Sequence, residues 1–314
     1  MRIHFLTVLL ITAAAAPGQQ AGHLIVSAEP KDHELPVLQA DDISVEVDHE
    51  PARVVSWTPF TGDRTQLQLY IVIDDADSTQ LSLQFGDLKH FIASQPASTQ
   101  IGLAYLRYGT AQIAQAPTAD HARAADALRL PLAESGIDAS PYIALADLIK
   151  KWPPAEGRRE MLVIMSGIDP YYQSPDLFDP YLAQAIETAQ KAGIVVSSVY
   201  YANAGHSGHS FFRVTWGQNY LSMLDEELGG EFYWQGLSSP ISFQPFLTEF
   251  SGWLQHQYLL TVETAAAGKP ELKAVRVTTA RRGVSLVTAS KIYLDEPSRL
   301  GASSRAYPPS WRGR

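Results

Sequence analysis

Residues 67–78, with the sequence LQLYIVIDDADS, decide the fold class of this chain. The first seven are mostly apolar or β-branched, which is typical of a strand buried on both faces of a parallel sheet. The run then ends in Asp74, Asp75 and Asp77, followed by Ser78. Since carboxylates this close repel one another, a positive charge is expected nearby. Sites of open parallel sheets follow the carboxyl ends of the strands, so this turn is the first candidate for a functional site.

Buried-type strands alternate with amphipathic helices from this run onward. Strands are predicted at residues 67–73, 100–106, 161–165 and 194–200, with an antiparallel edge hairpin around 110–113. Apolar spacing or capping residues predict helices at 81–92, 145–152, 179–192, 221–228 and 243–254. This alternation predicts an α/β fold, with a doubly wound, mostly parallel sheet and helices on both faces.

Short strand patterns flank the α/β region on both sides. Residues 24–26, 43–47 and 53–55 precede it, and residues 258–262, 272–278 and 284–293 follow it. We expect these segments from the N- and C-terminal parts of the chain to pack together as one small β module. The predicted boundaries are a signal peptide at 1–21, β segments at 22–65 and 257–294, an α/β domain at 66–256 and a flexible tail at 295–314.

The first residues of the chain predict an exported protein. The apolar run at residues 5–16 is followed by PGQQA, a pattern typical of a secretory signal. An uncleaved anchor is the alternative, but the run is shorter than the ~20 residues that a spanning helix needs. We therefore expect a secreted or periplasmic protein with no transmembrane segment in the mature chain. A net charge of -9 argues against nucleic-acid binding, and the absence of cysteine excludes disulfides and thiolate metal sites.

The turn that begins at Asp74 and ends at Ser78 resembles the first motif of the von Willebrand factor type A domain, Asp-x-Ser-x-Ser, which binds a divalent cation. The resemblance covers about residues 66–255 and depends on this motif together with the strand order. It implies a protein-binding or adhesion-type function at the carboxyl edge, meaning the rim formed by the turns that follow the parallel strands. It also implies that a bound cation would accept an acidic side chain from the partner protein.

The first part of the family's cation site is only partly matched. Asp74 and Ser78 stand at the positions of the first Asp and the last Ser, whereas Ala76 replaces the middle Ser. Ser140, in the loop before the helix at 145–152, stands at the position of the family's Thr. One hydroxyl ligand is therefore missing from this motif.

The last part of the cation site also departs from the family pattern. Ser166 is followed directly by Gly167, where the family has an Asp between them. Because hard cations prefer several oxygen ligands, some of them charged, Mg²⁺ or Ca²⁺ is expected to bind weakly or not at all. Asp77 or Asp169 could restore a carboxylate ligand. The resemblance thus predicts a degenerate metal-ion-dependent adhesion site.

Two alternative functions are compatible with the same residues. Residues 75–79, DADST, fit the Asp-x-Asp-x-Thr motif of haloacid-dehalogenase-like phosphatases, in which Asp75 and Asp77 would act as nucleophile and acid/base with magnesium. However, no acidic pair follows the strand at 194–200 to hold that magnesium. The other alternative is a metal-free structural module. Since hydrolase, phosphate-loop and dinucleotide motifs are absent from the sequence, we expect no enzymatic activity.

Further residues of interest follow the strands at the same edge. His206 and His209 lie in a Gly- and Ser-rich stretch, which predicts an exposed loop more strongly than a metal site. The Phe pair at 211–212 and Trp216 could be core residues or an exposed aromatic anchor, and the core is favoured because large aromatic side chains are buried on average. The Tyr pair at 171–172 has two open interpretations, facing a partner or packing within its loop.

Overall fold

The computed structural model describes residues 20–31, 36–61, 66–133, 139–154, 157–172, 178–202, 211–236, 239–264 and 269–295. Residues 1–19 of the predicted signal peptide, residues 296–314 of the predicted tail, and His206 and His209 lie outside these ranges. None of the helices in the described ranges is long and apolar enough to cross a membrane.

The described chain folds into strands and helices that occur in a fixed order. The strands are β1 (Gln20–Pro30), β2 (Ile43–Val47), β3 (Glu50–Pro59), β4 (Leu67–Asp74), β5 (Thr99–Arg107), β6 (Thr110–Thr118), β7 (Arg158–Met165), β8 (Ile194–Tyr200), β9 (Phe232–Tyr233), β10 (Gln257–Thr264), β11 (Glu271–Thr279), β12 (Val284–Thr288) and β13 (Lys291–Leu294). The helices are α1 (Phe85–Ser94), α2 (His121–Asp126), α3 (Pro141–Lys151), α4 (Pro180–Ala192), α5 (Phe211–Leu228) and α6 (Gln244–Gln255).

Strands β4 to β9 form a six-stranded sheet in the order β6-β5-β4-β7-β8-β9. Strand β6 is antiparallel to β5, and the other neighbours in this sheet are parallel. After β4 the chain adds β5 and β6 on one side and then crosses to β7 on the other. The carboxyl ends of β4 and β7 therefore form a topological switch point, where ligand sites of such sheets lie.

Helices cover both faces of the six-stranded sheet, which makes this the mixed α/β architecture that the sequence predicts. On one face α3, α4 and α5 bury residues such as Tyr142, Leu182 and Leu221. On the other face α1 and α6 bury residues such as Leu88 and Phe250. Each such large apolar side chain contributes roughly 1.5–3 kcal/mol when it is fully buried. The central strands are consequently covered on both sides.

A second sheet is antiparallel and combines strands from both ends of the described chain. Its order is β12-β1-β10-β3-β2-β11-β13. Ala21 and Asp295 also form an isolated antiparallel bridge, which connects the ends of this curled sheet. Strand β3 pairs with β10, although the whole six-stranded sheet lies between them in sequence. The α/β unit is thus inserted between two hydrogen-bonded neighbours of the second sheet.

The structure corrects several predicted elements. With seven strands, the β module is larger than expected. The single strand predicted at 284–293 is broken into β12 and β13, because the Ser290 N–H leaves the sheet and donates to the carbonyl of Glu227 at the end of α5. The helix predicted at 81–92 begins as a 3-10 helix, Thr79–Gln84, before α1. The sequence patterns also missed α2 and the two-residue strand β9.

Candidate functional site

A small pocket opens at the carboxyl edge, where the turns after β4 and β5 meet the N-terminus of α3. Its lining includes Asp74, Ala76, Ser140 and Pro170, together with residues 106–109. The pocket has a volume of about 20 Å³, which is enough for one water molecule or a single ion. The turn after β4 and the loop before α3 therefore share one rim, as the sequence predicts.

Asp74 contributes a buried carboxylate to this pocket. Its Oδ1 accepts a hydrogen bond from the main-chain N–H of Ala76 at 3.0 Å. Burial raises the pKa of Asp74 to about 6, and the nearby charges of Asp75 and Asp169 add to the effect of burial. Pro170, in the segment after β7, lines the same pocket as Asp74, so the turns after β7 and β4 lie close together.

Asp75 is neutralised by Arg129, a residue that the sequence patterns did not identify. Two guanidinium nitrogens of Arg129 donate to the two carboxylate oxygens of Asp75, at 2.6 and 2.8 Å. The main-chain N–H of Leu132 donates to the same carboxylate at 3.2 Å. Arg129 also stacks over the ring of Tyr105, with 3.7 Å between the guanidinium carbon and the ring centroid. Arg129 is thus the positive charge that the acidic turn requires.

Asp77 is buried and is not part of the pocket lining. It has no exposed surface, and within the described residues neither carboxylate oxygen has a hydrogen-bond partner. Burial raises its pKa well above the ordinary value, and the charges of Asp74 and Asp75 raise it further. Burial without a partner thus favours the neutral form of Asp77 over the charged one.

The three candidate serines form local turns at the ends of strands or the starts of helices. Each side-chain oxygen accepts the main-chain N–H two residues later, at 3.2 Å for Ser78, 3.1 Å for Ser140 and 3.4 Å for Ser166. Ser78 and Ser140 thereby act as N-caps, of the 3-10 helix Thr79–Gln84 and of α3 respectively. Of the three, Ser140 lies in the pocket lining with Asp74.

Asp169 and Asp179 form a carboxyl pair beside the pocket. Oδ1 of Asp169 accepts the main-chain N–H groups of residues 171 and 172, at 2.8 and 3.0 Å. Oδ1 of Asp179 caps α4 in the same way. Burial raises the pKa of Asp179 to about 6, and the charge of Asp169 adds to this rise.

Most of the exposed large apolar side chains also border the carboxyl edge. The Phe pair at 211–212 is 64% and 73% exposed, so the expectation that it lies in the core is wrong. Both rings lie in the first turn of α5, on the opposite end of that helix from its buried residues. Tyr171 is about half exposed and also packs against Tyr181, with 5.4 Å between ring centroids. The edge members of this group are Leu83, Tyr108, Leu130, Leu132, Tyr171, Phe178, Phe211, Phe212, Trp234 and Ile241.

Comparisons with known proteins give structural neighbours but no sequence relatives. No protein-family model matches the sequence, and no curated protein matches it. An aerotolerance-related membrane protein from Bacteroides fragilis is 12% identical with a TM-score of 0.43, covering 60% of this chain and 98% of its own. The von Willebrand factor type A protein from Catenulispora acidiphila is 10% identical with a TM-score of 0.42, covering 88% and 75%. The vWF domain of the type V pili tip protein Mfa5 from Porphyromonas gingivalis is 10% identical with a TM-score of 0.41, covering 60% and 94%.

The structural neighbours therefore include von Willebrand factor type A domains, the family that the Asp74 motif resembles. At these identities and TM-scores the neighbours carry no argument about function. The α/β architecture of this chain is established by its own strand order and helix placement.

The candidate cation ligands do not form a ready-made metal site. Asp74 and Ser140 share the pocket, and Asp169 lies close enough to raise the pKa of Asp74. Ser78, Ser166 and Asp77 are not part of the pocket lining. Ala76, whose methyl group cannot bind a cation, is part of it. Among the described residues, no three acidic or histidine side chains are grouped so that they could hold a metal ion. The donor set thus supplies fewer ligands than a hard cation prefers.

Proposed function

We propose that this chain is an exported, non-catalytic module that binds another protein through its carboxyl edge. The observation that carries the proposal is the concentration of exposed apolar side chains on this rim, on turns that follow several different strands. Soluble proteins rarely expose contiguous apolar surface unless it contacts a partner. Export is a prediction from residues 1–21.

The apolar side chains of this edge are presented by well-anchored segments. Ile241 is 96% exposed, yet its carbonyl accepts a hydrogen bond of 3.1 Å from the side chain of Gln84. Trp234 is half exposed and its ring lies parallel to that of Phe232, at 6.3 Å between centroids. Rigid aromatic and aliphatic anchors lose little conformational entropy on binding, which is why they dominate the energy of protein interfaces.

We propose further that the Asp74 pocket is a degenerate adhesion site that holds Mg²⁺ or Ca²⁺ weakly or not at all. An acidic side chain of the partner would contact this pocket only through such a cation. Because the cation binds weakly or not at all, the exposed apolar side chains of the carboxyl edge are the principal determinant of binding. Thermal-shift titrations with magnesium, manganese and calcium test the cation, with Asp74→Ala as the matched variant. We expect no shift, or one that needs high metal concentrations and disappears in Asp74→Ala. A large shift at low metal concentration would instead establish an intact cation site.

Site-specific crosslinking tests the protein-binding surface. A photoreactive amino acid is placed at Phe212 on the carboxyl edge and, as a control, at Val55, which is exposed on β3 of the other sheet. We expect a discrete crosslinked species from position 212 and none from position 55, when the protein is exported by its native host. Replacing Phe211 in addition by Ser should reduce the yield from position 212. Equal crosslinking from both positions, or from neither, would favour the metal-free structural module.

The phosphatase alternative receives no support from the geometry of its two aspartates. Asp75 is buried, and both of its carboxylate oxygens are occupied by Arg129. Asp77 is buried with a raised pKa and does not line the pocket. A nucleophile must reach the phosphorus atom of its substrate, and neither carboxylate is accessible to one here.

A further inference from the structure

A second and larger cavity begins at the carboxyl edge and runs along helix α4. It is a groove with a volume of about 370 Å³, within the range of about 300–1,000 Å³ that is usual for binding pockets. Helices α4 and α5 form two of its walls, and strands β11 and β13 of the antiparallel sheet contribute the third. Phe178, one of the exposed apolar side chains of the carboxyl edge, is also part of the groove lining. The groove is therefore continuous with the surface that we propose binds a partner.

The wall formed by α4 is a stripe of residues on one face of that helix. Its positions, 179, 182, 183, 186, 187 and 190, follow the spacing of three and four residues at which side chains of a helix lie side by side. Leu182 and Ile186 supply apolar surface on this face, and the half-buried Met223 and Leu272 extend it on α5 and β11. At 1.5 Å per helical residue the stripe is roughly 16 Å long. A peptide segment with several apolar side chains matches a groove of this length.

Gln190 places a hydrogen-bond acceptor in the groove lining. This residue is 5% exposed, and its Nε2 donates to the main-chain carbonyl of Glu227 and to Oγ of Ser290, both at 3.1 Å. In the part of the chain that the structure describes, no group donates to its amide oxygen. Because the amide is held through its nitrogen, the oxygen is available to a donor from a bound molecule.

The charged residues of the lining are mostly acidic. Asp179, Glu187 and Glu227 belong to it, and among the described residues Lys291 is its one basic member. Glu187 forms an exposed ion pair with Lys191 at 2.5 Å. Even when Glu187 is left out, the two remaining carboxylates outnumber the one ammonium group. Carboxylates and an amide oxygen are acceptors, and Lys and Arg side chains are donors without an acceptor, so a basic side chain complements this lining.

We propose that the partner bound at the carboxyl edge extends a basic, apolar peptide segment into this groove. Its apolar side chains pack between α4, α5 and β11, and a Lys or Arg side chain donates to Gln190 and to the carboxylates of the lining. The inference rests on the proposed function, because it names the chemistry of the partner that the edge binds. The exposed apolar side chains of the edge do not distinguish a basic partner from an acidic one, whereas the groove does.

Fluorescence anisotropy of the full chain with two labelled peptides tests the chemistry of the groove at physiological ionic strength, where distant charges are screened. The peptides have equal length, one composed of leucine and lysine and the other of leucine and glutamate. We expect the basic peptide to bind and the acidic peptide not to bind. Ala183→Phe, which adds a large side chain to the lining, and Glu187→Lys, which reverses a charge on it, should each weaken binding about tenfold or more.

Glu226→Lys is the matched control for the charge reversal. Glu226 is exposed on α5 but is not part of the lining, so this variant should bind the basic peptide like the parent. Circular dichroism establishes that each variant is folded. Equal binding of the two peptides, binding of neither, or a folded Ala183→Phe variant that binds as tightly as the parent would overturn the inference.

Crosslinking from Phe212 in the native host separates this inference from the proposed function. When a partner crosslinks at position 212, Glu187→Lys should reduce the yield and Glu226→Lys should not. A yield that Glu187→Lys leaves unchanged would overturn the inference while the proposed function stands. No crosslink from position 212 in any variant would remove the proposed function itself.

Discussion

Replacing Arg129 by Met should destabilise the protein, because it leaves the carboxylate of Asp75 buried without its counter-charge. The guanidinium makes two charge-assisted hydrogen bonds to Asp75, which is 1% exposed. Removing one partner of a buried ion pair costs about 3–5 kcal/mol. Since the Arg129 side chain is 39% exposed, we expect a loss near the lower end, about 3 kcal/mol. For a domain of this size that loss lowers Tm by roughly 6–12 °C.

The assay is thermal unfolding followed by circular dichroism, with a double-mutant cycle. The cycle combines Arg129→Met with Asp75→Asn, which removes the charge that Arg129 neutralises. We expect the double variant to be clearly more stable than the sum of the two single losses predicts. Arg123→Met is the matched control, because Arg123 is exposed on α2 and should change stability by no more than ~0.5 kcal/mol. A Tm for Arg129→Met equal to that of the control, or strict additivity in the cycle, would refute the reasoning.

Two further predictions concern pH and backbone packing. Burial, with the charges of Glu29 and Glu249, raises the pKa of Glu231 to about 7 from an ordinary value of 4.5. Its contribution to stability is therefore fully present below pH 4.5 and is lost as the pH rises through about 7, so Glu231→Gln should flatten the dependence of Tm on pH between these values. An unchanged pH profile would contradict this. Gly217→Ala should lower the free energy of unfolding by about 1–3 kcal/mol, because a Cβ there would lie 2.4 Å from the carbonyl oxygen of Ser166. Gly252→Ala in α6 is the control, since its Cβ would meet no atom within 4 Å, and it should be neutral or stabilising. Chemical denaturation measures both changes.

Elements with local determinants could be predicted from the sequence. Helix α4 is the clearest example. Asp179 caps it, Pro180 occupies its first turn, and Gly193 ends it with a φ of +63°. Each of these residues acts on main-chain groups within a few positions, so the sequence contains the whole signal. The buried strand β4 was predictable for a similar reason, because a continuous apolar run needs cover on both faces.

The features that the sequence did not reveal depend on contacts between distant segments. The acidic turn after β4 indicates that a positive charge is needed, but nothing in the local pattern selects Arg129, which is 54 residues from Asp75. The Phe pair at 211–212 was wrongly expected in the core. Average burial preferences of residue types do not take account of where a residue lies along its helix. The break after β12 arises from the carbonyl of Glu227, which belongs to a helix far away in sequence.

The candidate site could likewise be predicted only in part from the sequence. The sequence brought Asp74, Ser140 and the turn at Asp169 to one edge, because strand ends of a parallel sheet share that edge. It could not show that Asp77 is fully buried and does not line the pocket, since the burial of a single side chain depends on tertiary packing. The effect of Asp169 on the pKa of Asp179 was also invisible, because Asp179 belongs to the cap of α4.

The bridge between Ala21 and Asp295 has a mechanical consequence. Because these residues hydrogen-bond to each other, a force applied to the two ends of the described chain loads that bridge and the antiparallel ladders next to it. The α/β unit is inserted between β3 and β10, so the applied force does not pass directly through it. When the protein is pulled from both ends, the seven-stranded antiparallel sheet should therefore unfold first. The carboxyl edge, which we propose binds a partner, should remain folded at that force. Single-molecule pulling from both ends should show the seven-stranded sheet rupturing first.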